Sequence, residues 1–166
     1  GFSCTPGKES TVFALPGTGV SFSVLICFED TVAGLARRFV AEGADMLVNQ
    51  TNDAWFDVGF MSGWAARQHL AHSVLRCVEN NVPGVRATNT GISCFIDRTG
   101  RVQELATLRR SGWKSGSSGF EVSSVEAPPA GNGATVYGRY GDAAFALPCL
   151  LLSAAGFVLA VASRKR

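Results

Sequence analysis

Two hydrophobic periods alternate along the chain. Residues 11–16 (TVFALP) and 19–28 (GVSFSVLICF) are short apolar runs divided by Pro16-Gly17-Thr18-Gly19, which predicts two strands and a turn. From Asp30 the spacing changes. Val32, Leu35, Ala36, Phe39 and Val40 recur at helical steps, predicting a helix capped by Asp30 or Thr31 and stopped at Gly43. ADMLVNQ (44–50) returns to a short apolar run, a second core strand. A strand, helix, strand unit favours parallel pairing and an α/β layer. TNDAWFDVGFMSG (51–63) is polar, aromatic and glycine-bearing, so it is expected to be a loop. A second helix follows, bringing Trp64, Arg67, Gln68, Ala71, Val74, Leu75 and Val78 near one another, and ends at Asn80–Asn81 before Pro83. Further strands are expected at 84–90, 91–97, 101–106 and 119–125, and 128–142 (PPAGNGATVYGRYGD) reads as a linker. Parallel units mixed with hairpins, and no GxGxxG, exclude a plain dinucleotide-binding domain.

The last stretch is of another kind. Residues 143–163 (AAFALPCLLLSAAGFVLAVAS) carry no charge and are followed by Arg164, Lys165 and Arg166. A helix of that length rises about 32 Å against a hydrocarbon core of roughly 30 Å, and no polar face appears at any period. The expected organisation is a folded domain over 1–127, a linker over 128–142, a transmembrane helix over 143–163 and a cytoplasmic basic tail over 164–166. The folded part then stands on the opposite, extracytoplasmic side. The opening GFSCTPG has neither an initiator methionine nor a signal peptide, and reads as the interior of a longer chain.

Composition narrows the classes. The 166 residues are 46% hydrophobic and 17% charged, with a net charge of +2, which suits a globular core and gives no footprint for nucleic acid. Five cysteines, odd in number and widely spaced, form neither a CxxC pair nor a disulfide framework. His69 and His72 stand at i and i+3 without the HExxH glutamate, so no metal site is expected.

Three clusters could carry chemistry. Cys27 lies in ICFED (26–30), at the carboxyl end of an expected core strand, where open α/β sheets place reacting groups. It is either a buried strand cysteine or a nucleophile. If the strand continued to position 29, Cys27 and Glu29 would share a face, and a carboxylate alone would raise the thiol pKa. In TNDAWF (51–56), Asn52 and Asp53 can cap or brace a loop, while Trp55 and Phe56 are either core anchors or an apolar pocket wall. In RATNTG (86–91), a buried Arg86 needs a partner, with Glu29 and Glu79 as candidates. Asn49-Gln50-Thr51 fits a glycosylation sequon but falls at a strand-to-loop junction.

ICFED, ADMLVNQTNDAWF, Gln68-His69, LRCVENNVPGVRATNTGISCFID and the terminal span together resemble the C-terminal part of the apolipoprotein N-acyltransferase family, within the nitrilase or carbon–nitrogen hydrolase superfamily. The resemblance runs over nearly the whole chain in the same order. It implies part of an α-β-β-α sandwich followed by one transmembrane helix, in the cytoplasmic (inner) membrane with the catalytic domain on the periplasmic side. It also implies a Glu–Lys–Cys triad, with Cys27 as the nucleophile, Glu29 as a supporting glutamate and Trp55 and Phe56 as the aromatic pair of a lipid-facing loop. Phe28 stands where the best-known members have tyrosine. The family's base glutamate and lysine lie upstream of the cysteine, and Lys8 and Glu9 do not match them, so the chain reads as the C-terminal piece of a longer enzyme.

The activity so implied moves a fatty acyl group from a phospholipid, through a Cys27 thioester, to the N-terminal amine of a diacylglyceryl-cysteine apolipoprotein. It needs no cofactor, and its partners are the phospholipid donor, the lipoprotein acceptor and the bilayer. Two alternatives stand beside it: a membrane-tethered amidase or nitrilase, and an inert membrane-anchored remnant.

Overall fold

Leu25 and Leu47, one in each of the first two expected core strands, are both buried, and the sheet is organised around them. The structure is a computed structural model that describes residues 5, 7–56, 62–104, 120, 122–126 and 135–163. Six strands follow chain order across one sheet: β1 (Phe13–Ala14), β2 (Ser21–Ile26), β3 (Met46–Thr51), β4 (Gly84–Thr88), β5 (Cys94–Ile96) and β6 (Val102–Glu104). The two central pairings, β2 with β3 and β3 with β4, are parallel, and the outer ones are antiparallel. Parallel neighbours need a crossover. Helix α1 (Ala33–Ala41) supplies the first and α2 (Ser62–Asn80) the second.

The two helices pack on each other and cover one face of the sheet. Ala36 and Phe39 of α1 close over Leu25 and Leu47, while Cys77 of α2 meets Cys94 and Ile96. On the other face the register sets Val24, Val48, Val85 and Phe95 in one apolar row. One helix layer on one mixed sheet is half of an α-β-β-α sandwich, and that row is the surface a facing sheet would cover.

The contact between layers is close at Gly84. A Cβ there would lie 2.6 Å from Cys77 Sγ, and Cys77 is buried, so the sulfur has no open space to rotate into. Gly84→Ala should destabilise by about 1–3 kcal/mol through overpacking. Adding Cys77→Ala should recover most of that loss in thermal unfolding; a double variant no better than the single one would place the strain elsewhere.

Several expectations need correction. Strand β2 stops at Ile26, and Cys27–Thr31 form a 3-10 turn, so Cys27 and Glu29 share no strand face. Neither Asp30 nor Thr31 caps α1; Val32 takes the N-cap position, because the Asp30 carboxylate is committed to a buried cluster. On α2 the grouped residues Trp64, Arg67, Gln68, Ala71, Leu75 and Val78 are exposed. The inward stripe is Ala66, His69, Ser73, Arg76, Cys77 and Asn80, mostly polar, because His69 and Ser73 close over charged groups, while Cys77, with Val74 beside it, packs on the apolar cluster of Cys94 and Ile96.

No strand forms at 122–126, and residues 119 and 121 of that expected strand lie outside the described residues, as do 105 and 106 of the strand expected before it. The expected linker contains a short helix, α3 (Val136–Tyr140), whose Gly138 N–H donates to Thr135 Oγ1 at 2.7 Å; residues 128–134 lie outside the described residues. Helix α4 (Ala143–Ser163) is unburied along its length, with a mean hydropathy of 2.3, and is long and apolar enough to cross a membrane. Cys149 is exposed on α4 rather than filling a core, whereas Cys77 and Cys94 are buried.

Candidate functional site

Strand β2 delivers the chain to Cys27, and there the backbone turns sharply. Cys27 has φ +52, in the left-handed region that costs a non-glycine residue roughly 1–2 kcal/mol. Neighbouring groups hold it there. Glu29 Oε2 accepts from Ile26 N–H at 2.7 Å, Thr31 Oγ1 donates to Phe28 O at 2.8 Å, and Asn49 Nδ2 donates to Leu25 O at 3.2 Å and to Cys27 O at 3.1 Å. The thiol is left half-buried at the end of a parallel strand.

Beneath it lies an interlocked set of charges. Arg86 on β4 is 2% exposed, and its Nη1 donates to Asp30 Oδ2 at 2.9 Å, to Asn49 Oδ1 at 2.6 Å and to Ser73 Oγ at 2.9 Å. Its Nη2 reaches both Asp53 oxygens, at 3.2 and 3.0 Å. His69 bridges the two acids, Nε2 to Asp30 Oδ1 and Nδ1 to Asp53 Oδ1, each at 2.9 Å. Ser73, one turn on along α2, donates to Asp30 Oδ2 at 2.6 Å, and Thr51 donates to Asp53 Oδ1 at 3.1 Å. Two carboxylates thus face one guanidinium and one imidazolium, and the formal charges cancel.

Burial opposes the charge on His69, but its hydrogen bonds to Asp30 and Asp53 outweigh that and raise its pKa from 6.5 to about 9. For Asp53, burial pushes the pKa up, while the His69 hydrogen bond and the Arg86 charge bring it net below 3.8. The signs follow from linkage. His69 contributes stability that is complete below pH 6.5 and lost as pH rises through about 9. Asp53 contributes stability that is complete above 3.8 and lost as pH falls below it. The contribution of these two groups is therefore greatest between those limits. We expect the thermal midpoint to fall between pH 7 and 10 in the wild type, and His69→Asn to remove most of that alkaline limb; equal slopes in the two proteins would count against a charged His69.

The residues expected at the site divide into two groups. Asp53 is buried in the cluster, and Asn52 ties the NDAWF turn to the β4–β5 connection by accepting from Asn89 Nδ2 at 2.7 Å and from Ala54 N–H at 3.1 Å. Phe28 is exposed, with its ring 5.5 Å from that of His69. Glu29 is exposed and braces its own turn. Trp55 is 78% exposed, which excludes a core anchor within this layer, and the Phe56 side chain lies outside the described residues. Arg86 pairs with Asp30 and Asp53, not with Glu29 or Glu79; Glu79 accepts from Arg76 at 2.8 Å instead. His69 joins the charge cluster, a role that neither its i, i+3 spacing with His72 nor its place in the family motif indicates. Its spacing with Ser73, Arg76 and Asn80, a polar stripe at helical period, was the signal that could have found the cluster. Asn49 of the sequon is buried and fully engaged.

Cys27 thus stands in a left-handed turn, at the end of a parallel strand and over a buried charge cluster, within a nitrilase-like α/β layer. The carbon–nitrogen hydrolase family pattern matches residues 2–115, and the chain belongs to that family. Within it, the chain is similar to the apolipoprotein N-acyltransferase of Geobacter metallireducens, 39% identical over 98% of this chain and 27% of that protein. The enzyme of the same name from Thermotoga maritima is 32% identical over 92% of this chain and 27% of its own length. The chain therefore spans about a quarter of the length of the curated relatives it matches. Among solved structures, an amidase from Nesterenkonia sp. AN1 superposes with a TM-score of 0.47 at 21% identity, over 61% of this chain and 40% of that one.

Proposed function

We propose that the protein containing this chain is an apolipoprotein N-acyltransferase with Cys27 as its nucleophile. The observation that carries this reading is the pairing of a strained, half-buried Cys27 with the exposed apolar helix Ala143–Ser163 in one chain. A thiol reacting beside a bilayer suits substrates that are themselves lipid-anchored. The names of the relatives support the same reading.

In the first step the Cys27 thiolate attacks the carbonyl carbon of a phospholipid ester. The C–O bond breaks and a lysophospholipid leaves, taking a proton, which leaves an acyl thioester. The free α-amine of a diacylglyceryl-cysteine then attacks the thioester, the C–S bond breaks, the amide loses a proton and the thiolate returns. The glutamate base and the lysine of the family triad belong to the part of the protein preceding this chain. Trp55 and Phe56 meet the acyl chain, while Glu29, Phe28, Asn52 and Asp53 shape the turn beneath it. Residues 1–127 form part of the catalytic domain, 128–142 connect it to the span at 143–163, and 164–166 are the cytoplasmic tail of an inner-membrane protein whose catalytic face is periplasmic.

The test uses the full-length protein in detergent or vesicles with a phospholipid labelled in its fatty acyl chain. Label trapped on Cys27 as a thioester, and moved to a diacylglyceryl-cysteinyl peptide on its addition, is the expected result. Label released as free fatty acid despite the acceptor would identify a hydrolase instead, and no thioester at all would refute the nucleophile.

A further inference from the structure

A non-glycine residue in the left-handed basin returns to a more common conformation unless neighbouring groups over-determine it. At Cys27 one of those groups comes from a different strand, 22 residues further on. Asn49 Nδ2 has two protons and spends them on Leu25 O and Cys27 O, the carbonyls on either side of Ile26. A buried amide can present either end toward those carbonyls, and only its NH2 end pairs with them. The choice is made by Arg86, whose Nη1 donates to Asn49 Oδ1 at 2.6 Å. A guanidinium offers donors only, so it admits the amide oxygen and repels the amide NH2. Arg86 cannot swing away, because Asp30 and Asp53 hold both ends of its fork.

From this geometry we infer that Asn49 is a positioning residue for Cys27. Its amide, oriented by Arg86, clamps the carbonyls of 25 and 27 and so fixes the left-handed turn that presents the thiol. The peptide unit is planar, so holding Cys27 O also sets the plane of the 27–28 peptide beside the thiol. The charge cluster thus reaches the reacting atom through geometry and not through charge. This inference rests on the reading of Cys27 as the nucleophile. It goes beyond that reading by naming a side chain that touches neither substrate nor thiol and yet controls the thiol.

Two substitutions separate positioning from support of the fold. Asn49→Ala removes both ends of the amide. Asn49→Asp keeps an oxygen for Arg86, at the cost of one added negative charge beside the cluster, but has no proton for the two carbonyls. In the full-length protein, both variants should slow single-turnover formation of the Cys27 thioester by roughly 10²-fold, the scale of a misplacement near 1 Å, with the phospholipid KM unchanged. In Asn49→Asp the imidazolium NMR signal of His69 should persist at about pH 7, reporting an intact cluster. Wild-type acylation rates in Asn49→Asp would overturn the inference, as would a rise in KM with kcat unchanged. Should the wild type form no thioester, the function reading fails separately. The inference is then read from iodoacetamide alkylation of Cys27 across pH in Asn49→Ala, which adds no charge: an altered profile sustains it, and one identical to the wild type overturns it.

Discussion

Replacing Arg86 with methionine should cost about 3–5 kcal/mol, the range for breaking a buried ion pair from one side. In a domain of this size, that lowers Tm by on the order of 10 °C. Arg86 alone supplies five hydrogen bonds to Asp30, Asp53, Asn49 and Ser73. Removing it leaves two buried carboxylates with His69 as their remaining counter-charge, beside the Ser73 and Thr51 hydroxyls. Lysine is not a conservative replacement, since a single ammonium cannot span both acids and the Asn49 oxygen. The loss should also depend on pH. With the guanidinium gone, Asp53 loses one of the groups that hold its pKa down and takes up a proton more readily, so the deficit of Arg86→Met relative to the wild type should shrink as pH falls. A loss below about 1 kcal/mol near pH 7, or a deficit that grows toward acid, would show that the cluster is not held by Arg86 in this way.

Substitution of Cys27 should separate activity from stability. In the full-length protein, Cys27→Ala removes the proposed nucleophile, and acyl transfer should fall by roughly 10⁴-fold or more, as when other covalent catalysts lose their nucleophile. The fold should not suffer. Alanine keeps the Cβ and therefore the strain at φ +52, so its Tm should stay near that of the wild type. Glycine sheds that strain, about 1–2 kcal/mol, and gives back about 0.5–1 kcal/mol in chain entropy. Cys27→Gly should therefore be as stable as Cys27→Ala or up to about 1.5 kcal/mol more so, reversing the usual order of the two residues. Thermal unfolding of the two inactive variants reads this directly. An alanine variant clearly more stable than the glycine one would mean that the turn at Cys27 carries no strain.

Much of the fold was legible because its signals are local. The apolar runs around Leu25 and Leu47 and the helical spacing from Leu35 to Val40 depend on residues a few positions apart, and β2, α1 and β3 formed where those periods placed them. The 21 uncharged residues of 143–163 announced a helix able to cross a membrane by length and hydropathy alone. ICFED and NDAWF marked the two turns that flank the site, and the family match over residues 2–115 agrees with what those motifs resembled.

The charge cluster was not legible, because its partners are brought together by sheet register rather than by spacing. Arg86 finds Asp30 across 56 residues, Asn49 across 37 and Asp53 across 33. The α2 face was misjudged for a related reason: periodicity identifies a stripe but not which stripe is inside, and burial of His69, Ser73 and Arg76 becomes favourable only when opposite charges already wait beneath. The strand expected over 19–28 ends at Ile26, since the Glu29 carboxylate takes the Ile26 N–H and the Asn49 amide takes the carbonyls of Leu25 and Cys27. The sequence by itself thus determined the strand–helix–strand core, the apolar helix and the family the chain belongs to. Only the tertiary structure decided how that cysteine is held, because an arginine, an asparagine and two acids from four separate segments must be packed in one dry space before their charges and hydrogen bonds can select a single geometry.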